Sequence, residues 1–274
     1  MSNETSKPDS NIKSTIEVAT GLIKAIPVYQ DAIQPSAQQI GKSLETITKT
    51  VNIALAPIKA LVWGYEQIEQ FITKRVSEKL KNVPPENIVT PSPQVAGPAV
   101  EALRYIGHDE ELRELFANLL AASMDTETLH KAHPSYVEII KNLSSDEASL
   151  LKVFLDNNNI YPIIDLSKEV NEKPNGRTLI YAKYSHLYKI ANIKRLDLLP
   201  SYLDNLCRLG ILETPSYLTL TAENTYEPLE DDEIWNDVKE IAKSSNQTVV
   251  FDRGVVRVTT YGKQFIENVI KEKE

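Results

Sequence analysis

Apolar residues return every three to four positions along the first half of the chain, the spacing of helices that bury one face. Ile16, Ala19, Leu22, Ile23 and Ile26 form one such row before Pro27, and Ile40, Leu44, Ile47 and Val51 form a second after Pro35. After Pro57 a third row, Ile58, Leu61, Val62, Tyr65, Ile68, Ile72, Val76 and Leu80, keeps helical phase with charged residues on much of its other side. Proline separates the rows because it has no amide to donate and crowds the preceding turn. Residues 84–98 carry five prolines and read as an extended connector. Beyond it the pattern predicts a short helix over Ala99–Tyr105. Asp109 then precedes a helix burying Leu112, Leu115, Phe116, Leu119 and Leu120. Pro134 leads into a helix through Tyr136, Val137, Ile139, Ile140 and Leu143. Ser144-Ser-Asp-Glu147 has the capping-box form and starts the next helix, Ala148–Leu155.

After Leu155 the period shortens. Ile160–Leu166 reads as a strand and Leu198–Leu209 as a helix closed by Gly210. Ile211–Leu220 and Val249–Thr259 alternate β-branched with polar residues, as strands do. A final helix turns Phe265, Ile266, Val269 and Ile270 inward. That order is the one expected of a winged helix. The expected fold class is therefore mainly α, an N-terminal helical region followed by a C-terminal winged-helix-like α+β module. The boundaries are a disordered leader over 1–13, a helical domain over 14–143 and a winged-helix-like domain over 144–274 with an acidic insertion at 223–240. Leu206, Leu209, Ile211, Phe265 and Ile266 are expected to be buried together, with Asp204 on the exposed side of its helix.

Composition narrows the function classes. A hydrophobic fraction of 42% and a charged fraction of 25% are those of a globular protein. The net charge is −8, and neither half of the chain is basic, so bulk electrostatics does not favour nucleic acid. Cys207 is the single cysteine, which excludes an intrachain disulfide or a thiolate zinc site and fits a reducing cytosol. The polar first ten residues lack a secretory signal, so the expected location is cytoplasmic. Val51–Tyr65, the longest weakly charged stretch, falls short of the roughly 20 apolar residues a membrane-spanning helix needs.

No phosphate-cradling glycine loop, nucleophile elbow or paired metal-binding acidic motif is present, so the chain reads as a non-enzyme with no cofactor. His130 and His133 lie three apart, but no third metal ligand is selected by spacing. Glu110, Glu111 and Glu114 sit in the first turn of a helix, where carboxylates complement the helix dipole. The informative feature is charge segregation. From Arg177 to Leu196 there is no acid, and cations alternate with Tyr181, Tyr184, His186 and Tyr188. Nucleic-acid grooves use cations for phosphate and aromatics for stacking. The candidate nucleic-acid or partner-binding residues are accordingly Arg177, Tyr181, Lys183, Tyr184, Lys189, Lys194, Arg195 and Arg208. Eight acids between Glu223 and Glu240 are opposed only by Lys239, which suggests a segment that covers the basic stretch until displaced. The plainer alternative makes the tyrosines core residues and the charges a solvated surface. Ser201, Asp204, Asn205 and Arg208 offer one cation and one acid on the expected recognition helix, a poor match to duplex phosphates.

Several stretches resemble the Abi-alpha family of bacterial proteins grouped with abortive-infection phage defence. They are Ala56–Tyr65 (APIKALVWGY), Glu86–Val89, Ala96–Leu103, Glu111–Leu120, His133–Ile140 and Asp204–Gly210, spread over most of the chain. The resemblance implies a defence role and carries no catalytic residue across. Two mechanisms are consistent with that role. One is protein or nucleic-acid binding by the winged-helix-like domain. The other is a membrane-active effector whose N-terminal amphipathic helices, including Gly21–Ile26 and Val51–Tyr65, insert on triggering.

Overall fold

A computed structural model of the chain describes residues 64–156, 159–171 and 176–272. The leader, the first two helical rows and almost all of the membrane-active segments expected from sequence lie outside the described residues. Those described form two compact units. One comprises residues 64–108 together with Leu119–Pro134, and the other Asp109–Asn118 together with the described part of Ser135–Glu272.

In the smaller unit, α1 (Tyr65–Lys79) opens after Gly64, whose left-handed φ of 85° suits a residue with no Cβ. Ile72, Val76 and Leu80, four apart, are its buried row. Helix α2 (Pro93–Ile106) starts inside the stretch expected to be extended. Ser92 caps it by accepting from the Gln94 amide, and Pro93 takes the first position, where its missing donor costs nothing. Pro98 lies within the helix and removes one internal hydrogen bond, while Val95, Ala99, Val100, Ala102 and Leu103 are buried. Among residues 84–98, only the part before Pro93 is a connector. It contains a 3-10 turn at Pro85–Asn87 and an antiparallel bridge between Ile88 and Asp125.

Helix α3 (Glu110–Ser123) contributes residues to both units, and Leu112, Leu115, Phe116, Leu119 and Leu120 are all buried as its spacing predicts. Asp109 Oδ1 accepts from the Leu112 amide at its entry, 3.1 Å. In the larger unit, α4 (Ser135–Lys141) buries Tyr136, Val137, Ile139 and Ile140. Helix α5 (Ser145–Lys152) starts with both hydrogen bonds of the expected capping box between Ser144 and Glu147.

The rest of the larger unit is built on a four-stranded antiparallel sheet of order β2-β1-β4-β3, with β1 Ile160–Val170, β2 Arg177–Tyr184, β3 Leu212–Glu213 and β4 Gln247–Val258. β1 and β4 pair along their whole length, from Ile160 opposite Arg257 to Val170 opposite Gln247. Strand β2 occupies part of the stretch read from sequence as a binding segment. Its pairing with β1 is interrupted twice, once at Ile180 and once before Tyr184, where Lys183 adopts a left-handed φ of 54°. The strand expected over Ile211–Leu220 is paired only at Leu212 and Glu213; Pro215, with no amide to donate, follows close behind.

Helix α6 (Leu187–Ile190) is one turn, and α7 (Leu199–Arg208) runs into Gly210, whose φ is 75°. The acidic segment folds into α8 (Glu227–Glu230), a 3-10 turn and α9 (Asn236–Ser244). After β4, α10 (Thr260–Phe265) passes into a π-helical turn over Ile266–Ile270. Leu206, Ile211, Phe265 and Ile266 are buried as expected, and Leu209 is half-buried. Thr259 organises the junction. Its Oγ1 donates to Gly210 O and accepts from the Gly262 amide, and its own amide donates to Ile211 O. Gly262 lies so close to that carbonyl that an added Cβ would sit 2.1 Å from Ile211 O.

Candidate functional site

Two segments of opposite charge meet over one face of the sheet. The β2 strand and the turn after it supply Tyr181, Tyr184, His186, Tyr188 and Lys189, and the acidic segment supplies Tyr226, Leu229, Asp232 and Trp235. Ile164, Leu166, Tyr184, Tyr226, Leu229 and Trp235 form one buried apolar cluster, with Tyr181, Tyr188, Leu196 and Val238 packed against it. The Tyr184 and Trp235 rings meet edge to face. The acidic segment is thus anchored by its apolar residues, at positions 226, 229, 235 and 238.

Asp232 is the electrostatic centre of this arrangement. Its side chain is 9% exposed. One oxygen, Oδ2, lies 2.6 Å from the Tyr184 hydroxyl, 2.7 Å from His186 Nε2 and 2.7 Å from Lys189 Nζ, and Oδ1 accepts from the Ile234 amide at 3.3 Å. Burial opposes ionisation of this carboxyl. Hydrogen bonds from Lys189, Tyr184, His186 and the Ile234 amide outweigh it and hold the group below the usual carboxylate range. Burial, then the bond to Asp232, pushes the Tyr184 phenol well above its ordinary value, so it stays a donor. Lys189 lies 3.1 Å from His186 Nε2 and 5.6 Å above the Tyr188 ring. A second link joins the acidic segment to β4: Arg253 bonds Glu230 at 2.6 and 2.9 Å and Glu227 at 3.4 Å.

The other candidate residues are placed as follows. Arg177 is exposed on β2 and pairs with Asp252 of β4. Tyr181 is half-buried and donates to Leu196 O; burial, aided by Asp197, pushes its phenol up to about 12. Lys183 pairs with Asp204 of α7, while its amide donates to Asp165 Oδ1. Arg195 holds Asp197 through two bonds of 2.8 and 2.6 Å. Arg208 donates to Asn205 Oδ1 and, at 3.5 Å, to Asn142 Oδ1. Lys194 is exposed. The structure therefore gathers Tyr181, Tyr184 and Lys189 at one place and leaves Arg177, Arg195 and Arg208 at separate ones. His130 and His133 are both exposed, and among the described residues no group of three or more His, Cys, Asp or Glu side chains is placed to hold a metal ion.

Asp232 and Trp235 were not singled out by sequence. The signal for them is the apolar punctuation Tyr226, Leu229, Trp235, Val238 and Ala242 within an acidic run, whose spacing of three to six gives short helices a buried side.

The family model described as Abortive infection alpha matches residues 64–269. No curated protein matches the chain. Among solved structures, the chain is similar to an uncharacterised protein from the hydrocarbon-degrading marine bacterium Alcanivorax borkumensis SK2. The two share 21% identity over 47% of this chain and 87% of that one, with a TM-score of 0.30.

Proposed function

The chain belongs to the abortive infection alpha family, and from that premise we propose that it is a non-enzymatic component of bacterial phage defence that works in the cytosol by protein contact through its larger unit. One observation carries the choice of protein over nucleic acid. Arg177, Lys183, Lys189 and Arg195 each bond a carboxylate of this same chain. Phosphate binding draws its strength from cations that exchange small counterions for the nucleic-acid backbone. A cation already held by an internal acid offers less of that gain.

The winged-helix-like reading of this unit is part of the proposal. Its support is the chain order α5, β1, α7, β3, β4, α10, with β4 lying between β1 and β3. Strand β2 is an addition to that plan, and β3 is shorter than a full wing strand.

Phage plating on cells carrying the chain tests the proposal. Changing the exposed Lys194 and Arg195 together to Ala is expected to leave protection intact. Ile190→Glu, which charges an exposed apolar residue of the same stretch, is expected to abolish it. The reverse pattern, with salt-dependent binding of DNA or RNA in a filter assay, overturns the reading in favour of nucleic acid.

A further inference from the structure

The acids between Glu223 and Glu240 divide by what holds them. Arg253 bonds Glu227 and Glu230, Lys239 lies 3.9 Å from Asp231, and Asp232 is the buried centre of the cluster described above. Glu233, Asp237 and Glu240 are exposed and make no ion pair or side-chain hydrogen bond among the described residues. Their spacing of four and three puts them on one side of the helical stretch Glu233–Ser244, which is a 3-10 turn running into α9. Ile234 and Ile241, two turns apart, run beside them and show 39% and 54% of their surface. Trp235, Val238 and Ala242 take the inward side. The stretch therefore has a second face, of two aliphatic side chains and three carboxylates, that is open to solvent among the described residues.

The pattern on that face is that of a helix-pairing seam. Two isoleucines seven residues apart occupy the same place in a heptad, and Glu233 and Glu240, each directly before one of them, occupy the flanking place. In paired helices the seam residue supplies buried area and the flanking charge chooses the partner. Charge here decides what can sit on the face. Phosphates of a nucleic acid or of an anionic lipid surface would meet three carboxylates. A second copy of the same face would set acids against acids. Lys239 and Lys243, the cations of α9, lie four apart on its other flank.

We propose that this outward face docks a basic amphipathic helix of a partner protein. The partner's aliphatic residues cover Ile234 and Ile241, and its Lys or Arg side chains pair with Glu233, Asp237 and Glu240. This names the kind of partner for the protein contact proposed above and rests on that reading. The acidic segment then has two sets of carboxylates with separate work: Glu227, Glu230 and Asp232 hold the segment to its own chain, and the outer three read the partner. Affinity comes mainly from covering the isoleucines, while the charges set partner choice and the rate of encounter. The exposed Ile190 belongs to the adjoining element, since Lys189 beside it bonds Asp232, two residues before Ile234.

Fluorescence anisotropy on the full chain tests this with two labelled peptides of about 18 residues, long enough as helices to span the stretch. Both have the same leucine and lysine content. In one the leucines share a helical face, and in the other the same residues are shuffled so that no face forms. The patterned peptide is expected to bind at least about tenfold more tightly, a difference of about 1.4 kcal/mol. Ile241→Asp is expected to remove that advantage. Changing Glu233, Asp237 and Glu240 together to Lys is expected to weaken both peptides. All four positions are exposed, and circular dichroism melts check that the fold is kept. Equal affinity for the two peptides, or a preference that survives Ile241→Asp, overturns the proposal. No phage enters this assay, so its failure is distinct from that of the defence reading, which wild-type cells without protection in the plating test would overturn.

Discussion

Trp235 meets Tyr184 edge to face, with ring centroids 4.7 Å apart and planes at 74°. Each residue also spends its polar group within the acidic segment: Trp235 Nε1 donates to Leu229 O and the Tyr184 hydroxyl to Asp232. Such a ring pair contributes about 0.5–1.5 kcal/mol beyond its buried area. The acidic segment is thus one wall of a core. Lifting it from the basic stretch would expose Tyr184, Tyr226, Leu229 and Trp235 to water.

Asp232→Asn should cost about 1–3 kcal/mol, because it removes the charge that Lys189 and Tyr184 share and leaves a buried phenol poorly paired. Urea melts measure the loss. A double-mutant cycle with Tyr184→Phe should return a coupling above about 0.5 kcal/mol, as expected for residues in one hydrogen-bonded network.

The same carboxyl makes stability depend on pH. Its pKa is lower in the folded chain than in the unfolded one, so the unfolded state takes up protons first as acid is added. The stabilisation it gives is complete above the unfolded value of about 3.9 and declines as pH falls below that. Melts from neutral pH to below pH 3 should show the gap between wild type and Asp232→Asn narrowing. A gap that holds constant through that window would show that charge on Asp232 is not what the donors stabilise.

Leu206→Ala should cost about 2–5 kcal/mol, the range for truncating a fully buried leucine. On the same helix, Asp204→Ala should cost about 0–1 kcal/mol: its side chain is 62% exposed and meets the Lys183 ammonium in a pair screened by water. Denaturant melts of the two variants establish the rotational phase of α7.

Gly262→Ala tests the junction around Thr259. The new methyl would lie 2.1 Å from Ile211 O and 2.9 Å from Ile211 C, both backbone atoms that cannot rotate away. Overpacking of this kind costs about 1–3 kcal/mol, and thermal melts should show it even though glycine-to-alanine changes usually favour helices.

The elements legible in the sequence were those with an uninterrupted period. Helix α3 announced itself through Leu112, Leu115, Phe116, Leu119 and Leu120, and α5 through its Ser144–Glu147 box. Strand β2 was not legible because its bulge at Ile180 and left-handed Lys183 break the alternation, and because its first four residues, all exposed, display no buried apolar face. Prolines misled in both directions. Pro93 opens a helix and Pro98 sits inside one, while Pro215 closes off a strand that alternation alone would have carried to Leu220. At the candidate site, the segregation of Arg177–Leu196 from Glu223–Glu240 was visible, and the two segments do meet. That the meeting runs through one aspartate and a tryptophan could not be read from composition, since it depends on which of eight acids the packing of Leu229 and Trp235 brings to Tyr184.

The pairing of β1 with β4 joins residues that stand 77 to 97 positions apart in the chain. At about 5–20 residues per second of synthesis, β1 and the hairpin it forms with β2 leave the ribosome several seconds before their main partner exists. Until then the inner edge of β1 is as open as the outer edge of β2. Non-local strand pairing is also the slow step in folding, since a long loop must close before any contact rewards it. The nascent chain therefore spends its earliest seconds as a two-edged hairpin, the interval in which it is most exposed to chaperones, to proteases and to other copies of itself.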